Sequence, residues 1–242
     1  MAATITWFGH ATVRLTLPDG RVIFIDPWLT DNPLCPNNLK EPPRCDMLLL
    51  THGHFDHVGD APKLLQKFQP NVVGNFEVCT YFEKTVGKGT FSAMNTGGTQ
   101  TIDGIKISLT QAYHSSGIMT SEGDLIYGGA SNGVVVEVPG LASVYHAGDT
   151  CPFMDMKLIK QLWAPKICIL PIGDHYTMGA RGAAIAAELL EPKHIVPIHY
   201  KTFPILAQTA DGFRAALPPN LRDRVVAADV GQELAWTAGG VG

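Results

Sequence analysis

Charged side chains, basic excess and long hydrophobic runs are all scarce in this sequence. Charged residues make up 17% of the 242 residues, and 18 Lys and Arg face 22 Asp and Glu, so the formal net charge is −4. Without a basic surplus or a Lys/Arg cluster, the chain lacks the electrostatic footprint of a nucleic-acid-binding protein. No apolar stretch approaches the ~18 residues of a membrane-spanning helix, and Met1–Leu17 lacks the basic start of a signal peptide. We therefore expect a cytoplasmic protein with no membrane passage.

Paired cysteines are missing as well. The five Cys residues are odd in number, widely spaced and never arranged as C-x-x-C, which excludes a disulfide framework and a thiolate zinc site. Hydrophobic residues reach 45%, which excludes a disordered chain, and no internal repeat is present. The length fits one large globular domain or two small ones.

Short strands and helices separated by turns are predicted, because the chain contains 25 Gly and 17 Pro. The predicted strands are Thr4–Phe8, Thr12–Leu17, Arg21–Asp26, Met47–Leu50, Asn71–Val73, Ile105–Gln111, Val134–Val138, Ala142–His146, Lys166–Leu170 and Ile195–Pro197. The predicted helices are Val58–Phe68, Asp155–Leu162, Gly179–Leu190 and Ala210–Leu217. Strands and helices in two successive halves predict two β-sheets with helices outside them.

The segment after strand Met47–Leu50 carries the strongest chemical signal. Residues 52–57 place three imidazoles and one carboxylate within six positions, in the pattern H-x-H-x-D-H. Imidazole nitrogen and carboxylate oxygen suit zinc and related divalent ions. In an extended loop, His52 and His54 point the same way and can share one ion, while Asp56 and His57 turn towards a second. A solvated His-rich loop or a helix cap is the alternative.

Further motifs accompany this segment along nearly the whole chain. They are Trp7–Thr12, His52–Asp60, His114–Gly117, His146–Thr150, Pro171–Asp174, Thr177–Gly179 and Pro197–Tyr200. Together they resemble the metallo-β-lactamase superfamily, and within it a subfamily of uncharacterised metal-dependent hydrolases related to the ascorbate phosphate lactonases. The resemblance implies an α/β fold, the αβ/βα four-layer sandwich, with a dinuclear metal site at the sheet edge. It also implies a single domain over residues 1–242, built from two similar halves of about 1–120 and 121–242.

The resemblance extends to the ligands of both metals. It implies that His114 completes the first metal site, that Asp149 bridges the metals and that His199 completes the second metal site. The full set of implied ligands is His52, His54, Asp56, His57, His114, Asp149 and His199. The residues expected to serve catalysis are Asp56, Asp149, His10 and Asp174. His10 borders the metal pocket in the resembled subfamily, and Asp174 is expected to orient a ligand histidine through its free ring nitrogen.

The implied activity is hydrolysis of a small cytoplasmic ester, lactone or phosphoester by a metal-bridging hydroxide. The cofactors are two divalent ions, with zinc expected first and Mn, Fe or Ni as alternatives. The charge of such a centre favours an anionic small molecule, no nucleic-acid or membrane partner is expected, and a homo-oligomer stays open because the relatives commonly assemble. Two other functions stay open: a phosphodiesterase or nuclease acting on RNA or nucleotides, and a non-catalytic metal-binding protein of the same fold.

Overall fold

Two β-sheets pack against each other and carry helices on their outer faces in the computed structural model, which describes residues 1–242. The strands are β1 Thr4–Trp7, β2 Val13–Thr16, β3 Val22–Ile25, β4 Met47–Leu50, β5 Asn71–Asn75, β6 Thr90–Met94, β7 Thr99–Ile102, β8 Ile105–Gln111, β9 Gly117–Met119, β10 Leu125–Tyr127, β11 Asn132–Glu137, β12 Val144–His146, β13 Ile167–Pro171, β14 His194–Ile198, β15 Glu233–Thr237 and β16 Gly240–Val241. The α-helices are α1 Phe55–Val58, α2 Ala61–Phe68, α3 Phe76–Thr85, α4 Met156–Trp163, α5 Ala180–Leu190, α6 Asp211–Ala216 and α7 Pro219–Arg222, and a 3₁₀-helix spans Asn37–Leu39.

The first sheet has eight strands in the order β16-β15-β1-β2-β3-β4-β5-β6, and the second has six in the order β14-β13-β12-β11-β8-β7. Parallel strands β3, β4 and β5 show why the first sheet is covered on both faces. Ile25 lies opposite Leu49, and Leu49 lies opposite Val73, and all three side chains belong to the core between the sheets. Leu48 and Val72 point the other way and pack with α2 and α3, because successive side chains of a strand alternate between faces. All four residues of β4 are therefore buried.

The second sheet combines both strand directions. β11 pairs with β8 and β12 in antiparallel fashion, whereas β12, β13 and β14 are parallel. The Ala-rich helix α5 packs on β13 and contacts α4 and α6, which completes the outer layer. The predicted αβ/βα four-layer sandwich is confirmed. The longest helix, α5, has 11 residues, and no helix combines the length and apolar character needed to cross a membrane.

The sheets do not divide the chain at residue 120, where the two predicted halves meet. β7 and β8 precede this residue yet belong to the second sheet, and β15 and β16 from the end of the chain join the first. β15 pairs with β1, so that Leu234 lies opposite Ile5. Each sheet therefore contains strands from both sides of residue 120.

The predicted helix Val58–Phe68 consists of the end of α1 and a separate helix, α2. The chain turns between them at Asp60, whose carboxylate accepts a hydrogen bond from the backbone N–H of Leu29 (2.5 Å). The prediction that Asp56 and His57 lie in an extended loop is also wrong, because both residues lie on the helical turn α1.

Several short elements have no counterpart among the predicted ones. β6 and β7 contain no fully buried residue. Their sequences therefore have no need of the apolar alternation that identifies a strand, and they lack it. The helix α3 begins at Asn75, whose side chain accepts a hydrogen bond from the Val78 N–H (2.8 Å). The hairpin of β9 and β10 belongs to neither large sheet.

Candidate metal centre

Histidine and carboxylate side chains gather at one edge of the sheets. His52 follows β4, Asp149 follows β12 and His199 follows β14. β4 is parallel to its neighbours β3 and β5, and β12 to β14 are also parallel, so the carboxyl ends within each set meet at one edge. His10 and His114 reach the same place from the loops that follow β1 and β8. The fold thus brings together residues that are far apart in the sequence.

The outer group consists of His52, His54 and His114, whose ring nitrogens lie within 4.8 Å of one another. His52 Nε2 is 3.0 Å from His54 Nδ1. His52 is buried, but His54 and His114 are only half-buried, and the exposed Ser115 Oγ lies 3.2 Å from His54 Nε2. The outer group therefore borders the solvent.

The inner group consists of Asp56, His57 and His199. With His10 these residues form a second cluster whose candidate ligand atoms lie within 4.8 Å of one another. His57 and His199 are buried, and 15% of the Asp56 side chain is exposed. The inner group is therefore the better shielded of the two.

Asp149 lies between the two groups. Its Oδ2 atom is 3.2 Å from His57 Nε2, 3.1 Å from His199 Nε2 and 3.6 Å from His114 Nε2. The carboxylate is almost completely buried. A single oxygen atom thus faces imidazole nitrogens of both groups, which is the placement that a bridging carboxylate requires.

Asp26 is a site residue that the sequence patterns do not reveal. Its Oδ2 accepts hydrogen bonds from His57 Nδ1 (2.7 Å) and Thr51 Oγ1 (2.6 Å), and its Oδ1 accepts one from the Thr51 N–H (2.8 Å). Because the Thr51 hydroxyl donates to Asp26, the same oxygen accepts a hydrogen bond from His52 Nδ1 (3.0 Å). When neutral, both imidazoles therefore carry their proton on Nδ1 and present an unprotonated Nε2 to the centre. The only hint in the sequence is an acidic residue directly after an apolar strand.

His10 lies behind Asp56. Its Nε2 is 2.8 Å from Asp56 Oδ2, and its Nδ1 is 2.9 Å from Thr202 Oγ1. Burial lowers the pKa of His10 to about 4 against the effect of the Asp56 hydrogen bond, so the ring is neutral at pH 7. Burial also opposes the ionisation of Asp56, but the His10 hydrogen bond holds the pKa of this carboxyl below its usual value. The carboxylate can only accept, so His10 Nε2 carries the proton and the Thr202 hydroxyl donates to Nδ1.

Three residues of the site have left-handed backbone conformations. The φ angles are +52° for His10, +50° for Asp26 and +55° for His199. Residues with a Cβ adopt this region at a cost of about 1 kcal/mol or more. The backbones are also tied together, because the His10 carbonyl accepts hydrogen bonds from the His199 N–H (2.9 Å) and from Trp7 Nε1 (2.7 Å).

The charges in the centre stabilise one another. Burial opposes ionisation of Asp149, but His199 and His57 hold the pKa of this carboxyl well below its usual value. Burial likewise opposes protonation of His57, yet Asp149 and Asp26 raise the pKa of its imidazole well above the usual value. Burial lowers the pKa of all three histidines of the outer group. The inner group is the more negatively charged environment, because it contains Asp56 and contacts Asp26, whereas the outer group consists of histidines.

Four buried polar atoms of the centre have no hydrogen-bond partner: His57 Nε2, Asp149 Oδ1 and both ring nitrogens of His199. The short distances from Asp149 Oδ2 to His57 and His199 do not give hydrogen-bond geometry at these nitrogens. Leaving such atoms unpaired costs about 1–3 kcal/mol each, so native proteins contain few of them. Imidazole nitrogen and carboxylate oxygen are ligands of zinc and related divalent ions. The residues therefore fit a divalent cation, which would supply the missing partners.

Comparison with known proteins identifies the family. The profile of the Beta-lactamase superfamily domain matches residues 4–199. The chain belongs to the metallo-β-lactamase superfamily. A UPF0173 metal-dependent hydrolase of Koribacter versatilis is 49% identical over 203 residues, which cover 84% of this superfamily member and 86% of that protein. Another, from Solibacter usitatus, is 40% identical over 232 residues and covers 96% and 99% of the two chains.

A solved structure shows the same relationship. Igni18, a novel metallo hydrolase from the hyperthermophilic archaeon Ignicoccus hospitalis, superposes on this member of the metallo-β-lactamase superfamily with a TM-score of 0.82 at 33% identity. The match covers 96% of this chain and 97% of that one. The chain is a metal-dependent hydrolase, and its family implies a divalent metal cofactor.

Asp174 is the one predicted site residue that lies outside the histidine and carboxylate cluster of this hydrolase. Its side chain is exposed, and its Oδ1 accepts a hydrogen bond from the His175 N–H (3.0 Å). Both ring nitrogens of His199 lack a partner, so the bond expected between Asp174 and a ligand histidine is not formed. The cause is a tight turn, in which the Asp174 carbonyl accepts from the Thr177 N–H (3.1 Å) and the side chain points to solvent.

Proposed function

We propose that the chain is a two-metal hydrolase in which the outer group holds one divalent cation, the inner group holds the other and Asp149 bridges them. The substrate is a small cytoplasmic ester, lactone or phosphoester, and residues 1–242 act as one domain. Zinc is the first candidate because imidazoles dominate both groups, with Mn, Fe and Ni as alternatives. The observation that carries the proposal is the set of buried ligand atoms on His57, Asp149 and His199 that have no hydrogen-bond partner.

Divalent cations at this place would lower the pKa of a water molecule towards ~7 and polarise the oxygen of the scissile group. The residues of the chain hold and move the proton. His10 fixes Asp56 through Oδ2, which leaves Oδ1 to accept a proton from the attacking water. For an ester, the water oxygen bonds to the acyl carbon, the bond from this carbon to the leaving oxygen breaks, and Asp56 returns the proton to the leaving oxygen. The products are an acid and an alcohol.

Buried hydrogen bonds fix these groups before a substrate binds. Asp26 orients His57 directly and His52 through Thr51, and His10 orients Asp56. Groups that are already oriented need no rearrangement as the reaction proceeds, which is a main source of enzymatic rate acceleration.

Replacing Asp149 with Ala tests the proposal. We expect the variant to lose most of the second bound metal and to lose activity by about a thousandfold or more, since it removes the carboxylate that faces both groups. Metal content is measured by elemental analysis, and activity with generic ester and phosphodiester probes. Asp223→Ala, which removes an exposed carboxylate on α7's C-terminal side, is the control.

Two outcomes would contradict the proposal. An unchanged metal content in Asp149→Ala would exclude the bridging role. Two metals bound by the unmodified chain, with no turnover across both classes of probe, would instead indicate a non-catalytic metal-binding protein.

A further inference from the structure

A cavity of about 600 Å³ opens over the metal centre. His54, Asp56, His114, Ser115 and Asp149 line its polar part, and Gly117 also lines the cavity. The remaining wall is the apolar rim, which we define as Phe55, Met119, Leu125, Tyr176, Phe203 and Ile205. A cavity of this volume falls within the ~300–1,000 Å³ range of pockets that enclose drug-sized molecules.

The apolar rim exposes large side chains to solvent. Leu125 is 69% exposed, Phe55 is 60% exposed and Ile205 is 54% exposed. Apolar side chains that come from separate segments and surround one cavity mark a binding site rather than scattered surface residues. Trp28 supports the rim from below, with its ring centroid 5.8 Å from that of Phe55 and 6.0 Å from that of Phe203.

The hairpin of β9 and β10 supplies one side of the apolar rim. Met119 and Leu125 lie directly opposite each other on its two strands. At the next position of the register, opposite Ile126, Ile118 is buried and belongs to the core cluster of the first sheet, which attaches the hairpin to the fold. A Cβ atom on Gly117 would lie 2.6 Å from Leu125 Cδ1, so glycine is required there to leave Leu125 in its place.

The charge of the cavity is the second observation. None of the residues that line it is Lys or Arg, and its only carboxyl side chains are Asp56 and Asp149. Sites that recognise phosphate or carboxylate groups usually supply Arg or Lys as charged hydrogen-bond donors. The protein part of this cavity offers no such donor to an anionic substrate.

We infer that the substrate is an uncharged carboxylic ester or lactone whose apolar acyl part lies against the apolar rim, with its carbonyl at the metal centre. This inference rests on the proposed function and narrows its substrate class. The bond broken is the acyl carbon–oxygen bond, with water as the only co-reactant.

A series of p-nitrophenyl esters, from acetate through butyrate and hexanoate to octanoate, tests the inference on the full-length, metal-loaded enzyme. We expect kcat/KM to rise by up to about fourfold for each methylene group that becomes buried, and to level off when the cavity is full. The anionic probes p-nitrophenyl phosphate and bis(p-nitrophenyl) phosphate are expected to react more slowly than octanoate.

Matched variants locate the effect. Leu125→Lys should lower kcat/KM for octanoate by about tenfold, leave acetate within about twofold and leave the metal content unchanged. Leu162→Lys changes an equally exposed leucine on α4 outside the cavity and should alter neither rate. Ile205→Ser probes a part of the rim that lies outside the hairpin, so its effect does not depend on the integrity of β10.

The outcomes separate this inference from the proposed function. A flat chain-length series, or phosphate probes that react faster than octanoate, overturns the inference and leaves the two-metal hydrolase intact. Equal losses in Leu125→Lys and Leu162→Lys also overturn it. If the metal-loaded enzyme hydrolyses no ester and no phosphoester, the proposed function itself fails.

Discussion

The outer and inner groups contain similar ligands but differ in what surrounds them. In the outer group, His54 and His114 are half-buried, and the only side-chain partner of His54 outside the group is an exposed serine. In the inner group, His57 is buried against Asp26, and Asp56 is hydrogen-bonded to buried His10. Burial and hydrogen bonding fix Asp56 and His57 of the inner group, whereas half-buried His54 and His114 of the outer group are freer to adjust. We therefore expect the inner group to hold its cation more firmly and the outer group to exchange its cation more readily.

Removing Asp26 should have the largest effect on this difference. Asp26→Ala leaves the His57 Nδ1–H, the Thr51 hydroxyl and the Thr51 N–H without their acceptor. Each unpaired group destabilises the fold by about 1–3 kcal/mol, and loss of such a partner lowers metal affinity or activity by about 10- to 100-fold. We expect a lower Tm and loss of metal from the inner group, measured by thermal unfolding and elemental analysis.

Thr51→Val is the matched control for this variant. It removes the hydroxyl that orients His52 of the outer group but keeps the bond between Asp26 and His57. A smaller loss of metal is expected. If Thr51→Val lowers metal content as much as Asp26→Ala, the inner group does not owe its stability to Asp26.

Chelation kinetics should resolve the two groups. A chelator added to the metal-loaded protein should remove the cations in two phases, with the faster phase from the solvent-bordering outer group. Rates that differ by about tenfold require a difference of only about 1.4 kcal/mol in local opening free energy. His54→Ala should abolish the fast phase and His57→Ala the slow one. A single phase in the unmodified protein would show that the groups release metal together.

His10→Asn should have a smaller effect, because Asn keeps a donor near Asp56. We expect an activity loss of about tenfold with both metals retained. The cation-free protein adds a pH test: the pKa of His10 is about 4 when folded and 6.5 in an unfolded chain. The unfolded state therefore binds more protons between these values, and the wild type loses up to about 3 kcal/mol of stability on acidification through this window. Urea unfolding at pH 7 and pH 4.5 should show a smaller loss for the variant.

Asp174→Ala should have the smallest effect. Its carboxylate is exposed and is hydrogen-bonded to the adjacent His175 N–H, so metal content and kcat/KM should stay within about twofold of the wild type. A large loss of inner-group metal would show that Asp174 reaches the centre in solution.

The sequence predicts the centre well where the chemistry is local. The imidazoles and carboxylate of residues 52–57 are adjacent in the chain, so their type and spacing suffice to suggest a metal site. Asp26 escapes such a pattern because its role depends on the parallel pairing of β3 with β4, which brings it beside Thr51. A contact of this kind is set by sheet register, and no local motif records it.

Two of the three expectations that the structure corrects concern Asp174 and the helix break at Asp60. Asp174 lies in the loop after β13, as the predicted ligand residues lie after other strands, but its turn directs the side chain to solvent. The break at Asp60 in the predicted helix depends on the distant N–H of Leu29. The sequence does not predict the apolar rim. The strands β9 and β10 have three residues each, which is too short for a periodic pattern, and they pair only with each other.

The left-handed backbones of His10, Asp26 and His199 set function against stability at defined positions. Glycine adopts this conformation freely, so replacing any of the three with glycine relaxes the backbone while it removes a functional side chain. A screen that selects only for thermal stability should therefore favour glycine at His199, whose ring nitrogens have no hydrogen-bond partner, rather than at Asp26, whose three accepted hydrogen bonds stabilise the fold. The imidazole at position 199 therefore costs the chain stability that only a ligand bound to its nitrogens would return.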